Sequence, residues 1–181
     1  SVINSHLFSG GSIVLSNSSM MEEKFWKSIN DYSVTSIAGV PYNYEMMLRL
    51  GIDNLDIPTI KKMTQAGGKL DYQKAKKVND SLQLKGIDFY TMYGQTEATA
   101  RISYLPCGNL DKKPNSIGIP IPGGRLWLEN EEGLKISNSK IVGEMIYEGL
   151  NVSMGYAESK EDLSIGDVNK GILRTGDLAY F

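Results

Sequence analysis

The sequence predicts an α/β fold: a mostly parallel sheet with flanking helices, followed by a smaller antiparallel β-sheet or barrel-like subdomain. Up to about residue 100, short apolar runs of strand length alternate with stretches whose apolar residues recur at helical spacing. That alternation is the pattern of a parallel sheet with helices on its faces. After Arg101 the texture changes to short strands divided by turns, with no convincing helix, which points to an antiparallel sheet or barrel. The composition, 41% hydrophobic and 22% charged over 181 residues, is that of an ordinary globular chain with enough length for a real core. Two parts are expected, an α/β subdomain over 1–100 and a β-rich subdomain over 101–181.

The elements follow in order. Ser1 to Phe8 is read as the end of a helix, with Val2, Ile3 and Leu7 at helical spacing. Ser9-Gly10-Gly11 breaks it, and Ser12-Ile13-Val14-Leu15 is expected to be a short buried strand. The glycines lack the lysine of a phosphate loop and lead into a strand, so they are taken as a helix-to-strand turn. His6 is the only histidine and is read as a packed or surface residue. Ser19 is a candidate cap for a helix opening with Glu22 and Glu23 and burying Phe25, Trp26, Ile29 and Tyr32. A strand over Ser33 to Gly39 closes at Val40-Pro41. A methionine-rich helix, Tyr42 to Leu50, comes next, its methionines acting as flexible core filler. Ile60 to Ala66 is a strand ending in Gly67-Gly68, Asp71 opens a helix to about Gln83, and Ile87 to Met92 is the next strand. Lys74, Lys76 and Lys77 are taken as a solvated helix face. Beyond Arg101, strands are expected at Gly124 to Leu128, Ile141 to Glu148 and Ile172 to Thr175, with a polar turn at 129–133.

The chemistry concentrates in Tyr93-Gly94-Gln95-Thr96-Glu97, just past a strand. An aromatic ring can stack on a base, and a glycine lets backbone approach a ligand. A threonine hydroxyl can bond a phosphate oxygen, and a carboxylate is a hard ligand for magnesium. A plain strand-to-loop transition with a surface carboxylate explains the same residues, and these residues alone do not choose between the two. Gly39-Val40-Pro41, Ala66-Gly67-Gly68 and Tyr93-Gly94 all fall at strand ends, where open α/β sheets place their ligands.

Tyr-Gly-Gln-Thr-Glu resembles a signature of the adenylate-forming (AMP-binding) superfamily, which includes acyl-CoA synthetases, nonribosomal adenylation domains and luciferases. Four further stretches resemble it in the same order: Val40-Pro41, Ala66-Gly67-Gly68, Gly143-Glu144-Met145-Ile146 through Gly155-Tyr156, and Arg174-Thr175-Gly176-Asp177-Leu178. The resemblance implies the middle and late part of a large N-terminal domain from an ATP-dependent carboxylate-activating ligase. Such an enzyme forms an acyl-adenylate with release of pyrophosphate, then passes the acyl group to coenzyme A or a carrier pantetheine. It implies ATP or AMP and Mg2+ as cofactors, a small carboxylic acid as substrate, and an acyl or peptidyl carrier protein as a candidate partner. It gives Tyr93 the adenine, Thr96 the α-phosphate, Glu97 the magnesium, and Asp177 the ribose hydroxyls. Gly67, Gly68 and Gly94 become places of close approach to the nucleotide, and Glu144 and Tyr156 are taken as structural. Two departures stand out: the family often has Asn or Asp where this chain has Thr91, and a pair such as Ala-Pro where it has Lys69-Leu70.

A nucleotide-binding or regulatory module that kept the fold and lost the chemistry is the alternative. The chain opens on Ser1 without a methionine, so it is read as a piece of a longer protein, and the piece alone is expected not to catalyse adenylation. Net charge of −2 gives no basic field for nucleic acid. Cys107 is the single cysteine, which rules out an internal disulfide and a thiolate metal site. It fits a reducing, cytoplasmic setting, and no apolar run reaches the ~20 residues of a membrane span.

Overall fold

The computed structural model describes residues 2–181. The chain divides into two compact units, one made of Ser1–Tyr93 and Tyr104–Ile119, the other of Gly94–Ser103 and Pro120–Phe181.

The first unit is the expected parallel α/β layer. Helix α1 (Val2–Phe8) ends in a turn in which the Gly11 amide donates to the His6 carbonyl at 2.7 Å. The strand expected at Ser12-Ile13-Val14-Leu15 does not form. Its side chains are largely exposed, Leu15 at 86%, because an apolar run becomes a strand only when a neighbour completes its ladder. Helix α2 (Glu23–Asp31) has Glu22 at its cap position, without a side-chain cap bond. Ser19 instead organises the preceding turn, its amide donating to Glu22 Oε1 at 2.8 Å and its hydroxyl accepting from the Met21 amide at 3.2 Å. Phe25, Trp26 and Ile29 face the core as expected, whereas Tyr32 lies beyond the helix and is 68% exposed.

Strand β1 (Ser36–Gly39) leads into α3 (Pro41–Leu50), where proline takes the first turn because no helical partner is needed there. Tyr44, Met46 and Met47 of α3 are buried, the core-filling role foreseen for its methionines. Strand β2 (Lys62–Gln65) precedes α4 (Tyr72–Leu84), whose cap is Asp71, accepting from the amides of Gln73 and Lys74 at 3.0 and 3.3 Å. The α4 lysines lie on its outer face, Lys74 paired with Glu45 and Lys76 with Asp80 and Asp111. Strand β3 (Asp88–Tyr93) completes the parallel set, with Ser36, Lys62 and Asp88 level at one end and Gly39, Gln65 and Thr91 level toward the other. Two-residue strands β4 (Ser103–Tyr104) and β5 (Ile119–Pro120) extend the sheet order to β1-β2-β3-β4-β5. Ile60, Met63, Val78, Leu82 and Phe89 are at the centre of the core between sheet and helices.

The second unit holds the sheet β7-β6-β8-β9, built from β6 (Arg125–Glu129), β7 (Lys135–Ile136), β8 (Gly143–Glu148) and β9 (Ile172–Ala179). Its pairings are antiparallel, and the β8–β9 register shifts between Glu144 and Ile146, where Thr175-Gly176-Asp177 of β9 bulge opposite Met145. The sheet is open, with β7 and β9 at its edges, so of the two forms left open by the sequence it is the sheet. Leu128, Met145, Ile146, Tyr147 and Leu173 are its buried side chains. The expected polar turn is present: Asn130 Oδ1 accepts from the amides of Glu132 and Leu134. Among the described residues, no helix is long and apolar enough to cross a membrane.

Candidate functional site

The predicted site residues fall into both units, and each group has its own local logic. In the first unit the ends of β1 and β2 touch. The Ala66 amide donates to the Gly39 carbonyl at 3.1 Å, and a Cβ on Gly68 would lie 3.3 Å from Pro41 Cγ. Gly67 has φ +75 and its Cβ position is 3.3 Å from Val40 Cγ1, so both backbone conformation and space favour glycine. The buried Gln65 side chain donates to the Gly68 carbonyl at 2.7 Å and fixes that turn. Tyr93 closes β3 and is half-buried.

In the second unit the chain doubles back immediately after Gly94. A Cβ there would sit 2.4 Å from the Ala100 carbonyl oxygen, which requires glycine for close approach of backbone to backbone. Thr96–Ala98 forms a single 3₁₀ turn, and the Gln95 carbonyl accepts from the amides of Ala98 and Ala100 at 3.1 and 2.8 Å. Thr99 and Ala100 then adopt positive φ, 54 and 64. Such conformations persist where surrounding contacts over-determine them, and here the contacts are visible. Asn151 donates from Nδ2 to the carbonyls of Ala98 and Arg101 at 2.6 and 2.8 Å. The Thr99 hydroxyl donates to the Asn151 carbonyl at 2.8 Å, and the Ser153 amide to the Glu97 carbonyl at 2.7 Å. The fully buried Tyr147 donates its hydroxyl to Asn151 Oδ1 at 2.7 Å. Asn151 is thus the peg on which the turn hangs.

Glu97 lines an open cleft of about 440 Å³ together with Gln95, Glu144, Tyr156, Asn169 and Arg174. The Tyr156 hydroxyl donates to Glu97 Oε1. That bond, with the residue's own amide, holds the Glu97 carboxyl below the usual carboxylate range, and pushes the Tyr156 phenol up. Glu97 is therefore an ionised carboxylate at neutral pH. Among the described residues, no three His, Cys, Asp or Glu side chains gather as a metal cage. A single hard carboxylate fits magnesium, which keeps water and takes substrate phosphates in its remaining positions.

In the wall of the cleft, Arg174 on β9 bridges Glu129 on β6 at 2.8 Å and Glu144 on β8 at 2.6 Å. Both pairs push the arginine further toward its protonated form, and the Trp127 indole, then Arg174, hold the Glu129 carboxyl below its usual range. Thr175-Gly176-Asp177 follows, with Gly176 at φ +71 and Asp177 exposed. The Gln95 amide reaches across to Asp177 Oδ2 at 3.1 Å.

A family model described as AMP-binding enzyme matches residues 1–157. The chain belongs to this family. It is 28% identical to 4-hydroxybutyrate–CoA ligase 1 of Metallosphaera sedula over 162 residues, 87% of this chain and 28% of that protein. It is 34% identical to 2-succinylbenzoate–CoA ligase of Bacillus cytotoxicus over 96 residues, 53% of this chain and 19% of that protein. The solved o-succinylbenzoate CoA synthetase of Bacillus subtilis, in complex with an acyl-adenylate intermediate, matches the fold with a TM-score of 0.82 at 24% identity, over 99% of this chain and 35% of that one. The same synthetase has been solved with ATP and a magnesium ion (TM-score 0.79, 24% identity, 99% of this chain and 36% of that one). The chain thus spans 28% of the length of the first of these ligases.

For this member of the AMP-binding family, the structure brings Glu97 and the Thr175-Gly176 bulge to one cleft and ties Asp177 to the residue two before Glu97. Thr96 is exposed beside them. Tyr156, taken from sequence as structural, bonds the Glu97 carboxylate directly. Asn151 and Gln95 were not singled out. Gln95 stood inside the motif and Asn151 inside the matching stretch from Gly143 to Tyr156, but neither residue type announces its partner. His6 bonds the Ser36 hydroxyl at 3.3 Å on the first unit and takes no part in this cleft.

Proposed function

We propose that this chain is the central-to-late part of the adenylating domain of an AMP-forming acid–thiol ligase, of the acyl-CoA synthetase kind. The observation that supports it most is an ionised Glu97, presented by a glycine-dependent turn in the same cleft as the Arg174-Thr175-Gly176 segment. In the reaction, a substrate carboxylate attacks the α-phosphorus of ATP, an acyl–phosphate bond forms, and the bond to pyrophosphate breaks. A thiol of coenzyme A or a carrier pantetheine then takes the acyl group and AMP leaves. Both partners in the first step are anions, so the site must neutralise charge and align them.

Each residue has one task in this reading. Tyr93 stacks on adenine, and Thr96 donates to an α-phosphate oxygen. Glu97 would hold a magnesium ion, which would supply charge neutralisation on the phosphates. Asp177 accepts from the ribose hydroxyls. Gly67 and Gly68 leave room for the nucleotide, and Gly94 allows the reversal that presents Thr96 and Glu97 to it. Tyr156 keeps Glu97 charged and oriented, and Asn151 keeps its turn in place.

Pyrophosphate release by the full-length parent over a panel of acids tests the reaction class. Glu97→Gln is expected to lower pyrophosphate exchange on the order of 10²-fold while the thermal unfolding midpoint holds. Asp177→Ala is expected to weaken ATP binding by about 1.5–3 kcal/mol, roughly one to two decades. ATP binding without pyrophosphate release for any acid would favour a nucleotide-binding module instead. Wild-type exchange in folded Glu97→Gln would remove the metal role.

A further inference from the structure

A turn and a strand bulge eighty residues apart are joined by one side-chain amide. Gln95 Nε2 lies 2.6 Å from the Thr175 carbonyl oxygen and 3.1 Å from Asp177 Oδ2. Both partners are acceptors, so the amide nitrogen belongs on this side and spends its two hydrogens on them. The backbone of the Thr175-Gly176-Asp177 bulge is also held by other groups. Thr175 Oγ1 donates to the Met145 carbonyl at 2.7 Å and accepts from the Asp177 amide at 3.1 Å. The Gly176 amide donates to Glu144 Oε1 at 3.3 Å. What Gln95 contributes beyond these is a neutral donor to the carboxylate itself.

An exposed aspartate samples several rotamers, and a donor fixed on one oxygen selects among them. A carboxylate has about four acceptor positions, and the Gln95 amide takes a single one of them. Because glutamine is uncharged, it orients Asp177 without cancelling the charge that a ribose diol would use. Gln95 also anchors the turn carrying Thr96 and Glu97 through its own carbonyl. We propose that Gln95 is a positioning residue: it presets the Asp177 carboxylate for the ribose hydroxyls of an adenine nucleotide, and locks that carboxylate to the turn that bears Glu97. This rests on the reading of Asp177 as the ribose ligand.

The test is calorimetric binding of AMP and of 2′,3′-dideoxy-AMP to the wild-type chain, Gln95→Met, Asp177→Ala and the double variant. Gln95→Met keeps length and volume and removes both donors. It is expected to weaken AMP binding roughly 3- to 10-fold, the cost of ordering a side chain on binding, and to leave dideoxy-AMP binding unchanged. In the Asp177→Ala background it is expected to add nothing. A merely structural Gln95 would weaken both ligands alike and would still do so without Asp177, which would overturn the proposal. If Asp177→Ala erases the preference for AMP and Gln95→Met does not touch it, the ribose role stands and the positioning role falls. If Asp177→Ala leaves the preference intact, or the wild-type chain binds neither ligand, the ribose reading itself falls. Should Gln95→Met fail to fold, Gln95→Ala, which removes both donors and adds no charge, reads the same ratio. Failure of both to fold would assign Gln95 to structure alone and reject the proposal.

Discussion

The unit built on the parallel sheet hides chiefly hydrocarbon and thioether side chains, with Gln65 and Asn79 as its buried polar ones: Met47, Met63, Val78 and Leu82 are essentially inaccessible, and Ile60, Ile87 and Phe89 are nearly so. The unit built on the antiparallel sheet buries polar groups at the places where its loops must be held. Tyr147 and Thr175 are enclosed with their hydroxyls engaged, and Asn151 uses its carbonyl and both ends of its side chain to fix the turn that presents Glu97. The contrast follows from what each unit presents. A layer of helices on a sheet is stabilised by apolar area, which is non-directional. A turn with two positive-φ residues is held by directional bonds, and in a water-poor setting each lost bond leaves an unpaired group.

Leu82→Ala gives the largest expected break in that contrast. Removing this side chain leaves a cavity in the first unit, with a cost of about 2–5 kcal/mol. Urea unfolding should show a lower midpoint with an unchanged slope, and AMP affinity per folded molecule should hold. Asn151→Ala is expected to do the reverse. It removes three side-chain hydrogen bonds, for about 1–3 kcal/mol, and the effect should be local: faster hydrogen exchange at the amides of Ala98 and Ala100 and weaker AMP binding. Equal protection of those amides in the variant and the wild type would deny Asn151 its anchoring role.

The smallest effect is expected from Arg174→Met. The bridge to Glu129 and Glu144 is exposed on the arginine side, and surface ion pairs contribute little. The change in unfolding midpoint should be below that of either variant above and should vanish at high salt. Its pH signature is definite. The folded Glu129 carboxyl titrates below its unfolded range, so its contribution is complete above that range and is lost as pH falls through the lowered value. The wild type should therefore lose this increment on acidification, and Arg174→Met should lose less of it.

Much of the fold was legible because it is written in local periodicity. The alternation of strands and helices, the Asp71 cap, the buried methionines of α3 and the polar turn at Asn130 each follow from neighbours within a few positions. The errors share one cause. Ser12-Ile13-Val14-Leu15 has the composition of a strand but no partner to pair with, and Tyr32 has the right spacing but falls just past the helix end. Composition states what a segment would bury, and a neighbour decides whether it does.

The same division runs through the candidate site. By itself the sequence determined that Gly94 permits a reversal and that Glu97 offers a hard carboxylate beside it, because these depend on the chemistry of adjacent residues. Only the tertiary structure decided that Tyr156 bonds Glu97, that Asn151 pegs the turn, and that Gln95 reaches Asp177. Those contacts join residues more than fifty positions apart. Hydrogen bonds depend on distance and angle in space, which folding sets and which no short stretch of sequence contains.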